Sequence, residues 1–149
     1  MKNHKVKVYV DGPEIKNIKD FLNFDGFTFN PSLYRKLGAK DYLEFSKEII
    51  QQTKDKPISI EVFADDHESC LYQANKINEL SENIYVKIPI TYTNGESTVK
   101  LIQKLSEDGI KLNITAIFTL DQIKNILGKI KDKQHILSLI HISEPTRLG

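Results

Sequence analysis

Ile84-Tyr85-Val86-Lys87-Ile88-Pro89-Ile90 is the stretch on which the reading of the fold turns. Its isoleucines and valine recur at every second position, the period of a β-strand whose successive side chains point to opposite faces. Lys87 breaks into this apolar run on the other face. Outward from it, four more short runs have strand character: Val6 to Asp11, Asp25 to Asn30, Ile58 to Ala64 and Leu112 to Phe118. Between them lie stripes at helical spacing, such as Leu71, Ala74 and Ile77, or Val99, Ile102 and Leu105. Strands alternating with helices predict βα units and a parallel sheet.

Parity within the strands sharpens this. One face is apolar: Val6, Val8 and Val10; Phe27 and Phe29; Ile58, Ile60 and Val62; the four residues around Lys87; and Ile114, Ala116 and Phe118. The other carries Asp11, Thr28, Asn30, Ser59, Glu61, Lys87, Asn113 and Thr115. A half-polar sheet with one side in water is common in antiparallel folds, but all-parallel sheets are covered on both faces. Closure into a barrel makes the polar set internal, where Lys, Glu and Asp together are too costly to serve as filler. The fold expected is therefore α/β, five βα units of a TIM-type (β/α) barrel. Asp65 with Glu68, and Thr119 with Gln122, have capping-box spacing, and Gly109 stands where a helix should end.

Bulk properties agree with one soluble domain: 149 residues, 40% hydrophobic and 28% charged. A net charge of +1, with Lys and Arg interleaved by acids, lacks the footprint of a nucleic-acid binder. A single cysteine permits no intrachain disulfide and fits a reducing, cytoplasmic setting. Neither a signal core nor a run of about 18 apolar residues appears, so no membrane association is expected. His4, His67, His135 and His141 show no metal-ligand spacing, and no Gly-rich phosphate loop is present. Cys70 reads as a packed small hydrophobe, His67 as exposed, and Tyr9, sharing the parity of Asp11, as barrel core.

A lysine with an ordinary pKa of about 10.4 is neutral in only about one molecule in 2,500 at pH 7. Desolvation in a barrel interior would favour the free amine, which attacks a ketose carbonyl to give an iminium, the electron sink for carbon–carbon cleavage. The bland alternative is a strand-end lysine whose ammonium reaches water. Spacing alone leaves both open.

Phe27-Thr28-Phe29-Asn30-Pro31-Ser32-Leu33 resembles the T-x-N-P-S-L signature of transaldolases. Ile60-Glu61-Val62 is similar to their S-x-E-V strand, Val86-Lys87-Ile88-Pro89 to their V-K-I-P strand, and Lys111-Leu112-Asn113-Ile114-Thr115 to their K-x-N-x-T strand. The motifs come in family order over roughly residues 5 to 128, nearest to the small subfamily that includes fructose-6-phosphate aldolases. The resemblance implies that Lys87 forms the Schiff base and that Asp11 takes the proton from the hydroxyl beside the breaking bond. It implies that Glu61 works through a water held with Thr115, that Asn30 and Asn113 hold substrate hydroxyls, and that Thr28 lines the pocket. Ser32 carries a loop-shaping role. The family moves a dihydroxyacetone unit between ketose and aldose phosphates in the pentose phosphate pathway, with neither cofactor nor metal, and its small members often form rings of subunits. Glu61 favours the transferase, since aldolases using free dihydroxyacetone resemble these enzymes with Gln there.

Departures exist. Gly12-Pro13 follows Asp11 where relatives have a small hydroxyl residue and alanine or serine; Pro is acceptable at the first position of a helix. A barrel has eight strands, and five are counted here. The last three strands of the family, with their phosphate-binding arginine and serine, are not found. The expected boundaries are an incomplete barrel domain over 1–133 and a non-family tail over 134–149 that resembles translated adapter sequence. The alternative for the tail is a sixth strand over Ile136 to Ile142. A second functional reading is a non-catalytic partial barrel that only binds sugar phosphate, and a third is an aldolase of the fructose-6-phosphate type.

Overall fold

The computed structural model describes residues 7–130 and 136–140. Its parallel sheet runs in chain order: β1 (Tyr9–Asp11), β2 (Gly26–Phe29), β3 (Ile58–Glu61), β4 (Ile84–Pro89), β5 (Leu112–Ile117) and β6 (Ile136–Ile140). A 3-10 helix, Ile15–Phe21, links β1 to β2. The later crossovers carry α1 (Pro31–Lys36) and α2 (Tyr42–Thr53), α3 (His67–Asn78), α4 (Val99–Glu107) and α5 (Leu120–Leu127). Sequential parallel strands with a helix in each crossover make a curled, partial (β/α) barrel, as the alternation predicts.

Burial follows the parity. Phe27, Phe29, Ile60, Val86, Ile88 and Ile114 point from the strands into a core that meets Ile49, Ala74, Leu101, Ile102 and Leu105 from the helices. Burying one such large aliphatic side chain is worth about 1.5–3 kcal/mol, so this layer is the main stabiliser of the sheet. Among the described residues no helix is long and apolar enough to cross a membrane.

Local differences from the sequence reading have physical causes. A sixth strand joins the five counted, because Ile136–Ile140 supplies backbone partners for the edge of β5, with Leu112 opposite Ile136 and Asn113 opposite Leu137. The start expected of β1 at Val6, the segments 131–135 and 141–149, and His4, His135 and His141 lie outside the described residues. In β5 the register shifts between Ile114 and Ile117, and Ala116 takes a positive φ of 59°. An irregularity of this kind resets the alternation. Ile117 becomes buried, while Phe118, expected on the helix-facing side, is 64% exposed.

The caps are also partly rearranged. Asp66, not Asp65, caps α3 by accepting from Ser69 N at 2.9 Å. Asp65 instead accepts from the backbone and hydroxyl of Thr93, so it ties the loop after β3 to the hairpin after β4. Thr119 and Gln122 form the full capping box at α5, and Gly109 ends α4 with a φ of 78°.

Candidate functional site

The polar parity becomes a set of rows across the inner face. Strand register puts Asp11 beside Thr28, Thr28 beside Ser59, and Ser59 beside Tyr85. The next row toward the carboxyl ends holds Glu61, Lys87 and Asn113, and Thr115 lies beyond it opposite Pro89. Parallel pairing without a slip between β2 and β5 is what aligns these residues, because a one-residue shift would turn each to the helix-packed face.

Lys87 is the centre of this arrangement. It is 7% exposed, and its Nζ lies 3.0 Å from Oε2 of Glu61, whose side chain is 17% exposed. The other ion pairs among the described residues lie at exposed positions. A nearly dry charge pair is expensive to assemble, which marks this position as more than surface electrostatics. Asn113 and Thr115, 3% and 5% exposed, flank the lysine from β5.

Beneath the lysine the interior stays polar but incompletely bonded. Asn113 Nδ2 donates to Ser59 Oγ at 2.9 Å, while Asn113 Oδ1 and Thr28 Oγ1 are buried without a partner. Such unsatisfied acceptors are uncommon in a finished core and signal a place built to receive donors. Further down, the Tyr9 ring covers Gly26: a Cβ there would stand 2.4 Å from the ring and 2.6 Å from the Pro57 carbonyl. Tyr9 is only half-buried here, short of the core position its parity predicts. Burial, helped by Tyr85 and Asp25, raises its pKa.

The remaining predicted residues sit at the rim. Asp11 is exposed at the carboxyl end of β1. Asn30 follows β2, and its Oδ1 caps α1 by accepting from Leu33 N at 2.9 Å, which leaves its amide nitrogen for another partner. Ser32 is exposed in the first turn of α1. Asn30, Ser32 and Glu61 line a cavity of about 910 Å³ at the carboxyl ends of β3 and β4, with Tyr42, Thr91 and Tyr92. This is the end of a (β/α) barrel where sites are built, since its βα loops converge there.

Two contributors escaped the sequence reading. Tyr42, at the start of α2, donates its hydroxyl to the backbone carbonyl of Glu61 and so anchors the end of β3. Burial drives its hydroxyl pKa upward. Tyr92 buries a hydroxyl that has no partner, and burial pushes it up to about 12. Nothing in the local pattern distinguishes either from an ordinary core tyrosine. Cys70 is 1% exposed, with its thiol pushed up to about 11 by burial, and its Sγ donates to the Ala64 carbonyl at 3.0 Å. His67 is exposed on α3.

The model of the transaldolase/fructose-6-phosphate aldolase family matches residues 8–139. A probable transaldolase of Methanococcus maripaludis is 39% identical over 120 residues, covering 78% of this chain and 53% of the relative. Probable transaldolases of Erythrobacter litoralis and Thermoplasma volcanium are each 36% identical, over 78% and 76% of this chain and 52% and 51% of the relatives. The chain spans about half the length of these curated relatives. With the match running from β1 into β6, the chain belongs to the transaldolase/fructose-6-phosphate aldolase family.

Proposed function

We propose that these strands form the catalytic part of a transaldolase that moves a dihydroxyacetone unit from a ketose phosphate to an aldose phosphate through a Schiff base on Lys87. The observation that carries this reading is the burial of Lys87 beside Glu61 on a polar inner face. Lys87 Nζ adds to the ketose carbonyl, and loss of water gives the iminium. Glu61, at hydrogen-bond distance, shuttles the protons of that dehydration, with Thr115 holding the water. Asp11 accepts the proton of the hydroxyl beside the breaking bond, the aldose leaves, and the bonding electrons pass to the iminium as an enamine. Addition of the enamine to an acceptor aldehyde, with return of that proton, and hydrolysis then free Lys87. Thr28, Asn30 and Asn113 hold hydroxyls, and Ser32 shapes the loop. This chemistry asks for no metal or organic cofactor. The pentose phosphate pathway and a cytoplasmic setting follow from the same reading, and the resemblance to small members of the family suggests a homo-oligomer for the full-length form.

The transferase is preferred to an aldolase using free dihydroxyacetone because Glu61, not Gln, stands beside the lysine. The proposed domain boundaries are 1–133 and 134–149, and the family match, which runs to residue 139 within β6, bears against starting the tail at 134. The test is to incubate the full-length protein with fructose 6-phosphate and reduce with borohydride. The expected result is a reduced dihydroxyacetone mass on the peptide containing Lys87. A folded protein without that adduct removes the mechanism.

A further inference from the structure

We infer that Ser59 is a positioning residue, which pins the nitrogen end of the Asn113 side-chain amide and leaves its oxygen unpaired in the row of Lys87. The inference rests on the Schiff-base reading for its catalytic consequence, and on geometry for the contact itself. Asn113 lies on β5, in register with Lys87 on β4. Ser59 lies on β3, one row below Glu61 and Lys87. The amide therefore reaches across the inner face of β4, under the lysine, to place Nδ2 at 2.9 Å from Ser59 Oγ. Its other end, Oδ1, is left buried and without a partner.

The two ends of an asparagine amide have opposite hydrogen-bonding character, so which one is free decides what it can bind. With one Nδ2 hydrogen on Ser59, the end left without any partner is the acceptor Oδ1. Next to an ammonium this is also the electrostatically favoured orientation, because an amide nitrogen turned toward Lys87 would face donor with donor. The acceptor demands a donor from the ligand, and a carbohydrate hydroxyl is such a group. Thr28 Oγ1, in register with Ser59, is a second buried hydroxyl oxygen without a partner. A ligand that brings hydroxyls to these oxygens pairs them, whereas an apolar carbonyl compound leaves them unpaired, at a cost in binding. Ser59 touches no ligand atom in this scheme and acts through Asn113.

The test compares wild type with Ser59→Ala, Ser59→Thr, Asn113→Ala and the Ser59/Asn113 double alanine variant in the full-length protein. Loss of an orienting contact behind a metal ligand lowers activity by about tenfold or more, and the same scale is expected for this contact. Ser59→Ala should lower kcat/KM for adduct formation by about tenfold at a temperature where the variant is still folded, with a lowered melting temperature because the Asn113 amide nitrogen loses its partner. Ser59→Thr, which keeps the hydroxyl, should restore both. The double variant should be no slower than Asn113→Ala alone. Wild-type rates in Ser59→Ala, or losses that add in full, overturn the proposal. The contact itself is read without substrate, from the Asn113 side-chain amide protons by NMR. Their hydrogen-bonded signature should vanish in Ser59→Ala, and its survival overturns the orienting role. Absence of a wild-type adduct on Lys87 overturns the catalytic part alone, and the amide signal then still decides the orientation.

Discussion

At the scale of single residues, the deciding fact is that Lys87 and Glu61 are paired where water is scarce. The two members are not equally dry. Glu61 faces the cavity, whereas Lys87 is 7% exposed and lies among buried strand residues. Removing the carboxylate leaves an ammonium without compensation in the drier place, and such losses cost about 3–5 kcal/mol. Glu61→Ala should therefore destabilise the chain by about 3 kcal/mol, and by more than Lys87→Met, which leaves a carboxylate with access to water. Urea unfolding of both variants checks the order. Lys87→Met should also abolish the borohydride adduct while the protein stays folded, and Glu61→Ala should slow its formation. The identity of these residues was readable from the sequence. The contact between them was not, because it depends on the register of β3 against β4.

At the scale of elements, the strands are short, and close packing compensates for their length. β2 begins at Gly26, where the Tyr9 ring and the Pro57 carbonyl leave no room for a side chain. The Pro57 carbonyl accepts the backbone bond from Phe27 N at 2.9 Å, so it cannot retreat without breaking the β2 to β3 ladder. Gly26→Ala should cost about 1–3 kcal/mol through overpacking and displace the Tyr9 ring. The check is a lowered urea midpoint, with a changed Tyr9 ring environment by NMR. Caps show the same dependence on context. Thr119 and Gln122 behave as their spacing predicts, since both ends of a capping box lie on one turn. At α3 the choice between Asp65 and Asp66 was made by Thr93, 28 residues distant from Asp65, and no local pattern encodes that.

At the scale of the whole molecule, several buried groups resist ionisation together. Cys70 is pushed from 9.0 up to about 11, and Tyr92 from 10.0 up to about 12, both chiefly by burial. Tyr34 and Tyr42 are raised further by the same cause. A folded-state pKa above the unfolded one means that the folded chain holds its proton more tightly. The associated stability is complete below about pH 9 and is lost as pH rises through the folded values. Thermal melts should therefore be insensitive to these groups up to about pH 9 and fall in midpoint between about pH 9 and 12. A flat profile over that interval would show that the hydroxyls and the thiol are not held in a dry core.

What the sequence determined alone is what depends on local period and residue type. The alternation of Ile84, Val86, Ile88 and Ile90 gave the strand, the stripes between strands gave the helices, and the polar parity named Glu61, Lys87, Asn113 and Thr115 as one face. Tertiary structure decided everything that depends on distance across strands: the Glu61 to Lys87 pair, the bond from Asn113 to Ser59, the anchoring of β3 by Tyr42, and the exposure of Phe118 after the irregularity at Ala116. The physical reason is range. Backbone sterics and side-chain alternation act over a few residues and are written in every window of the chain. Hydrogen bonds and ion pairs between strands exist only once the register is fixed, and the packing of the whole sheet against its helices fixes it.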